Sequence, residues 1–168
     1  MEFPVLILLH VAFGILWAGG AVVLGLFVLP SVLDAGPAGG AVMAGVVKRR
    51  MPLVLTIAAG LVVLTGVRLY MLRFSMGWLA SPEGLVLTLG ALLGLGGFGL
   101  GVFVQKPTAE RLALVGLQVA QSGGPPTAAQ VGELRELQAK LRRVGRLMAW
   151  HLVGATLLMA SHRLAAML

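Results

Sequence analysis

The sequence predicts an all-α integral membrane protein: a four-helix transmembrane bundle with an amphipathic helical hairpin on the cytoplasmic side. Three observations carry that expectation. Of the 168 residues, 58% are hydrophobic and only 11% are charged. A soluble domain carries about 25% charged residues, so this chain has too few to cover a water-facing surface. The apolar residues also gather into four runs of about 20, the length that crosses a bilayer as a helix. The charges gather between those runs, as they do when they are confined to loops at a membrane surface. The length is that of a single domain.

The four expected spans cover about residues 4–29, 52–71, 84–104 and 147–168. Pro4 and Pro52 open the first two, in the first turn where a missing N–H costs nothing. The segment around Glu2 and Phe3 lacks the basic flank of a signal peptide, and the apolar run behind it is too long for a signal core. It therefore reads as a retained span.

Between the first two spans, Pro37 is expected to start a short interfacial helix that Lys48, Arg49 and Arg50 end, a placement that suits the helix dipole. Between the last two spans lies the hairpin, at about residues 108–146. Residues 108–121 read as an amphipathic helix, and Ser122, Gly123, Gly124, Pro125 and Pro126 as a sharp turn. Thr127 follows as an N-cap, with Gln130 completing a capping box. Val131, Leu134, Leu137, Leu141, Val144 and Met148 then recur at steps of three and four, a helical stripe. Nothing interrupts the stripe before the fourth span, so one continuous helix is expected from Thr127 to near the C-terminus.

Charge sets the expected orientation. The formal net charge is +7, and ten of the thirteen basic residues lie in the two loops just described; Arg68, Arg73 and Arg163 are the others. The positive-inside rule then places both termini on the outer side, the periplasm of a bacterial inner membrane. It accounts for the basic balance without nucleic acid, because no soluble domain presents these residues. The absence of cysteine excludes disulfides, thiolate metal sites and cysteine nucleophiles.

Polar groups within lipid are costly, so each one is a candidate for function. They are His10, Arg68, Tyr70, His151 and His162, with Trp17 and Trp150 beside them. No carboxylate lies within a span, which argues against a proton relay of paired acids. His10 lies about two turns from the outer end of the first span, and His162 about two turns from the outer end of the fourth. The two should therefore share a depth, with Arg68 and Arg73 at the same level. Two facing imidazoles with arginines nearby suit a b-type haem, the histidines as axial ligands and the arginines holding the propionates. The same pair with Met159 could instead hold copper.

His151 is eleven residues from His162 and shares its helix face, about 16 Å deeper. It has no second intramembrane histidine at its level, so a second haem is not expected. Each candidate also fits a plainer role. The histidines could be interhelical hydrogen-bonding residues, and the arginines could reach lipid phosphates. Trp78 reads as an aromatic-belt anchor. Gly90, Gly94, Gly97 and Gly101 give the third span a small-residue face, for close helix packing or to admit a flat macrocycle.

The first span reads His10-Val-Ala-Phe-Gly14-Ile-Leu-Trp17-Ala-Gly19-Gly20. This pattern resembles the first helix of copper resistance D-like (CopD-like) membrane proteins and of HemJ-type protoporphyrinogen oxidases, with Pro30 toward the helix end. Arg49 and Arg50 before Pro52, and Leu64-Thr65-Gly66, are similar to both families, and the resemblance covers about residues 8–70. It implies a compact four-helix membrane bundle. The HemJ-type resemblance further implies haem on His10 and oxidation of a porphyrinogen. That family's third-helix lysine has no counterpart here, Lys106 being the nearest.

The resulting expectation is a haem b protein built on His10, His162, Arg68, Arg73 and Trp17, working in redox or in tetrapyrrole or quinol chemistry. A copper-handling protein and a non-enzymatic membrane accessory or assembly protein are the alternatives. The expected partners are the lipid bilayer and a second copy or another membrane subunit, and not nucleic acid.

Overall fold

A computed structural model describes residues 2–165 and 167. Its elements are α1 (Glu2–Asp34), α2 (Pro37–Lys48), α3 (Met51–Arg73), the single turn α4 (Met76–Leu79), α5 (Pro82–Gln121) and α6 (Ala128–Ala165). No strand occurs among the described residues. Four of the helices, α1, α3, α5 and α6, are long and apolar enough to cross a membrane, as in a multi-pass membrane protein. Only 11% of the most apolar window of α3 is buried within the chain, and 17% of that of α1. Side chains such as Leu8, Ile15, Leu64 and Phe103 face outward at 67% exposure or more. A surface this apolar is stable where hydrocarbon, not water, is the solvent. Ala166 and Leu168, the expected end of the fourth span, lie outside the described residues.

Two expected boundaries are corrected. The first helix does not stop at residue 29 but runs through Pro30 to Asp34. The third does not stop at residue 104 but continues through Pro107, so the third span and the first arm of the hairpin are one helix of 40 residues. In an α-helix the proline ring strikes the carbonyl four residues earlier, which here belongs to Leu26 or Phe103. Both carbonyls lie in wider π-helical segments, Leu24–Val28 and Leu100–Gln105. The extra residue in such a turn re-aims the carbonyls and lets the chain pass the ring without breaking.

The expected helix from Thr127 onward forms as a single element of 38 residues, beginning at Ala128. Its capping box is present: Gln130 N–H donates to Thr127 Oγ1 at 3.3 Å, and Thr127 N–H donates to Gln130 Oε1 at 2.9 Å. Thr127→Ala should cost about 1 kcal/mol and fray the first turn. Faster amide hydrogen exchange at residues 128–131, with the spans unaffected, is the measurement that checks it.

α5 packs along α6, and α1 packs on α3 and, through its later half, about as extensively on α6. Glycines bring α5 and α6 together. A methyl group added at Gly97 would stand 3.0 Å from Leu152, and one at Gly101 would stand 3.3 Å from the Met148 sulfur. α1 in turn crosses α6. There a methyl group at Gly25 would lie 2.6 Å from the Gly145 carbonyl oxygen, so the two backbones touch. Trp17, Ala21, Ala58, Ala59, Met148 and Leu152 form the core beside this crossing. Toward the hairpin, Asp34 pairs with Arg142 at 2.7 Å and Arg111 with Glu133 at 2.6 Å, over the fully buried Val115.

Candidate functional site

Away from the hairpin, α1 and α3 part from α5 and α6. The Glu2–Gly14 stretch of α1 packs on α3, while the contact of α1 with α6 lies in its later half. The space between is an apolar cleft of about 480 Å³. Ligand pockets typically measure about 300–1,000 Å³. Its polar lining is sparse: His10 from α1, Tyr70 and Arg73 from α3, Trp78 from α4, Thr88 from α5 and His162 from α6.

The first and last spans thus bring His10 and His162 to one cleft, with Trp17 and Met159 also on its walls. The hydrogen bonds define the two rings. His10 Nδ1 lies 3.0 Å from the Val62 carbonyl and 3.1 Å from Thr65 Oγ1. A carbonyl can only accept, so Nδ1 is the protonated nitrogen. The Thr65 hydroxyl donates to the Leu61 carbonyl at 2.6 Å, which leaves its oxygen to accept from His10 as well. His162 Nδ1 donates to the Met159 carbonyl at 2.7 Å. In a neutral ring, each Nε2 is then left as a bare lone pair. Among the described residues neither Nε2 has a hydrogen-bond partner. A metal-ligating histidine almost always anchors its other ring nitrogen in this way.

Gly66 makes the His10 position possible. A methyl group there would stand 2.9 Å from His10 Cε1 and 3.3 Å from Nδ1. Gly66→Ala should therefore push the ring off the Val62 carbonyl. Gly60→Ala serves as the control, since a methyl group at Gly60 meets nothing within 4 Å. Imidazole nitrogen shifts in NMR should change in the first variant and not in the second.

Polar and aromatic side chains line the end of the cleft remote from the hairpin. Tyr70 O–H donates to Thr88 Oγ1 at 2.8 Å, because the Thr88 hydroxyl is committed to the Gly84 carbonyl at 2.7 Å. Trp78 stands edge-on to Tyr70, with ring centroids 5.3 Å apart. Its turn is capped by Ser75 Oγ, which accepts from the Trp78 main-chain N–H at 3.1 Å. Trp78 is thus a wall of the cleft rather than a belt anchor alone. Arg73 pairs with Glu83 at 2.5 Å and lies 5.3 Å over the Phe3 ring.

Arg68 behaves differently from Arg73. It forms a two-pronged pair with Glu2, at 2.6 and 3.1 Å, and does not line the cleft. His151 is also apart, with Nδ1 on the Leu147 carbonyl at 2.9 Å and its ring against Gly96. The glycine face of α5 is used mainly to receive α6, and Gly94 alone among the four G-x-x-x-G glycines also reaches the cleft.

Sequence reading missed Thr88, Gly66 and the acidic partners Glu2 and Glu83. Thr88 carried a signal, a hydroxyl in the middle of an apolar run. Gly66 entered only within the Leu64-Thr65-Gly66 resemblance, and its role depends on which residue faces it across α1 and α3. No protein-family model matches the chain, and neither a curated protein nor a solved structure matches it.

Proposed function

We propose that this protein is a haem b-binding redox protein of the bacterial inner membrane, with His10 and His162 as the axial ligands. The observation that carries the reading is the meeting of two intramembrane imidazoles in one apolar cleft, each with Nδ1 tied to a main-chain carbonyl. Buried imidazoles in lipid need a reason, and ligation of a metal by both Nε2 atoms supplies one. The apolar walls suit a macrocycle, and the end remote from the hairpin gathers the polar groups that suit its carboxylates. Arg73, on the wall, is the better candidate for a propionate contact, which it would share with Glu83; Arg68 lies off the cleft, paired with Glu2. Trp17 would lie against the macrocycle.

Bound haem supplies one-electron chemistry, toward an electron partner or a tetrapyrrole or quinol. The chain's own part is to hold the rings, exclude water and keep both Nε2 atoms deprotonated. The reading agrees with the helix-one histidine that the HemJ-type and CopD-like resemblance singles out. In it the four spans form a bundle, the basic hairpin is cytoplasmic, and both termini are periplasmic, as the ten basic residues at the hairpin side favour.

Met159 on the same wall supports a second reading, copper held by His10, His162 and Met159. A third, an accessory subunit that docks a partner or a second copy, is supported by Leu114 and Leu117, exposed at 54% and 57% on the hairpin. Absorption spectra of the detergent-purified protein after haem-replete expression, oxidised and reduced, decide among them. A Soret band with sharp reduced bands is the expected result. Copper without porphyrin absorbance favours the second reading, and a colourless, metal-free protein removes the first two.

A further inference from the structure

We propose that the cleft takes its ligand sideways from the bilayer, so that the ligand is a lipid-dissolved, largely apolar molecule. This rests on reading the cleft as a ligand site, and not on that ligand being haem.

The lining of the cleft is uneven. At the end remote from the hairpin, Phe3, Arg73 and Trp78 line it. Two ion pairs fasten that end: Glu2 with Arg68 joins α1 to α3, and Arg73 with Glu83 joins α3 to α5. At the other end, Trp17 forms the floor at 7% exposure and stands edge-on to Phe98, with centroids 6.3 Å apart. The first end is thus polar, through Arg73, and the second is packed core.

On the flanks the lining is aliphatic. Ile7 and Val11 of α1 and Leu92 and Leu95 of α5 line the cleft, yet they are 41%, 50%, 61% and 46% exposed. Side chains that are at once cleft wall and outer surface mark an opening. All four are aliphatic and lie within spans, so acyl chains are the medium that meets them. The architecture explains the opening: Gly25 and Gly145 hold α1 and α6 in backbone contact on the hairpin side, and the helices diverge beyond that crossing. A ligand dissolved among acyl chains then reaches the cleft that His10 and His162 line without exposing apolar surface to water.

Trp17 reports the route. The apoprotein carrying Trp78→Phe and Trp150→Phe keeps Trp17 as its sole tryptophan. It is reconstituted in phosphatidylcholine vesicles with brominated or ordinary acyl chains. Loss of most Trp17 fluorescence to the brominated chains, with little loss to acrylamide in the water, is the expected result. Quenching by acrylamide and not by brominated chains overturns the proposal. Should the double variant fail to fold, the same measurement is read as the difference between the native chain and Trp17→Phe. A protein without a Soret band whose Trp17 is quenched by brominated lipid loses haem and keeps the lateral route. A haem protein whose apo form shows the acrylamide pattern keeps haem and loses the route.

Discussion

Replacing His10 by alanine is expected to abolish the Soret band while leaving the protein folded. The imidazole contributes one Nε2 ligand, and its loss should weaken hemin binding more than tenfold, a change above about 1.4 kcal/mol. The structural cost is smaller. The ring gives up its bond to the Val62 carbonyl, which is worth about 1 kcal/mol. His162→Ala should act in the same way, since its ring, held by its own helix at Met159, would supply the other nitrogen ligand. His151→Ala is the control, because that ring packs on Gly96 and lies outside the cleft. Hemin titration followed by absorbance, with unfolding midpoints measured in parallel, separates ligation from stability. If both cleft variants bind hemin as the native chain does, the axial pair is wrong.

The second large effect is expected at the helix crossing. Gly25→Val puts a branched side chain where a single methyl group would already lie 2.6 Å from the Gly145 carbonyl oxygen and 3.1 Å from its carbon. The obstacle is backbone, which cannot rotate aside as a side chain can. The helices must separate, and overpacking of this kind costs about 1–3 kcal/mol; the upper end is expected here. The cleft should suffer too, because the crossing sets the distance between α1 and α6. Gly14→Val is the matched control, since a methyl group at Gly14 meets nothing within 4 Å. Unfolding in sodium dodecyl sulfate, followed by tryptophan fluorescence, should show a clear loss for Gly25→Val and none for Gly14→Val. Equal midpoints for the two would mean that the close crossing does not hold the bundle.

The helices were legible because lipid as solvent leaves the backbone few choices. A run of about 20 apolar residues must bond to itself, and four such runs are plain in the chain. Local chemistry was legible for the same reason that it is local: Thr127 and Gln130 form their capping box within one turn. Helix ends at Pro30 and Pro107 were not legible. Whether a proline stops a helix or is passed by a π-turn depends on how the neighbouring turns pack, which no single position reveals.

The candidate site divides in the same way. His10 and His162 stood out on cost alone, as polar groups in hydrocarbon, and counting turns placed them at one level. The sequence by itself determined four spans, the basic side and the short list of polar groups inside. Tertiary structure alone decided that Gly66 clears a place for the His10 ring, that Arg68 turns to Glu2 while Arg73 stays at the cleft, and that Trp78 forms a wall. Each of these depends on which residues of separate helices come face to face. Periodicity fixes a side chain's direction on its own helix; the rotation and crossing of neighbouring helices are set by small contacts such as Gly25 on Gly145, summed over the whole bundle.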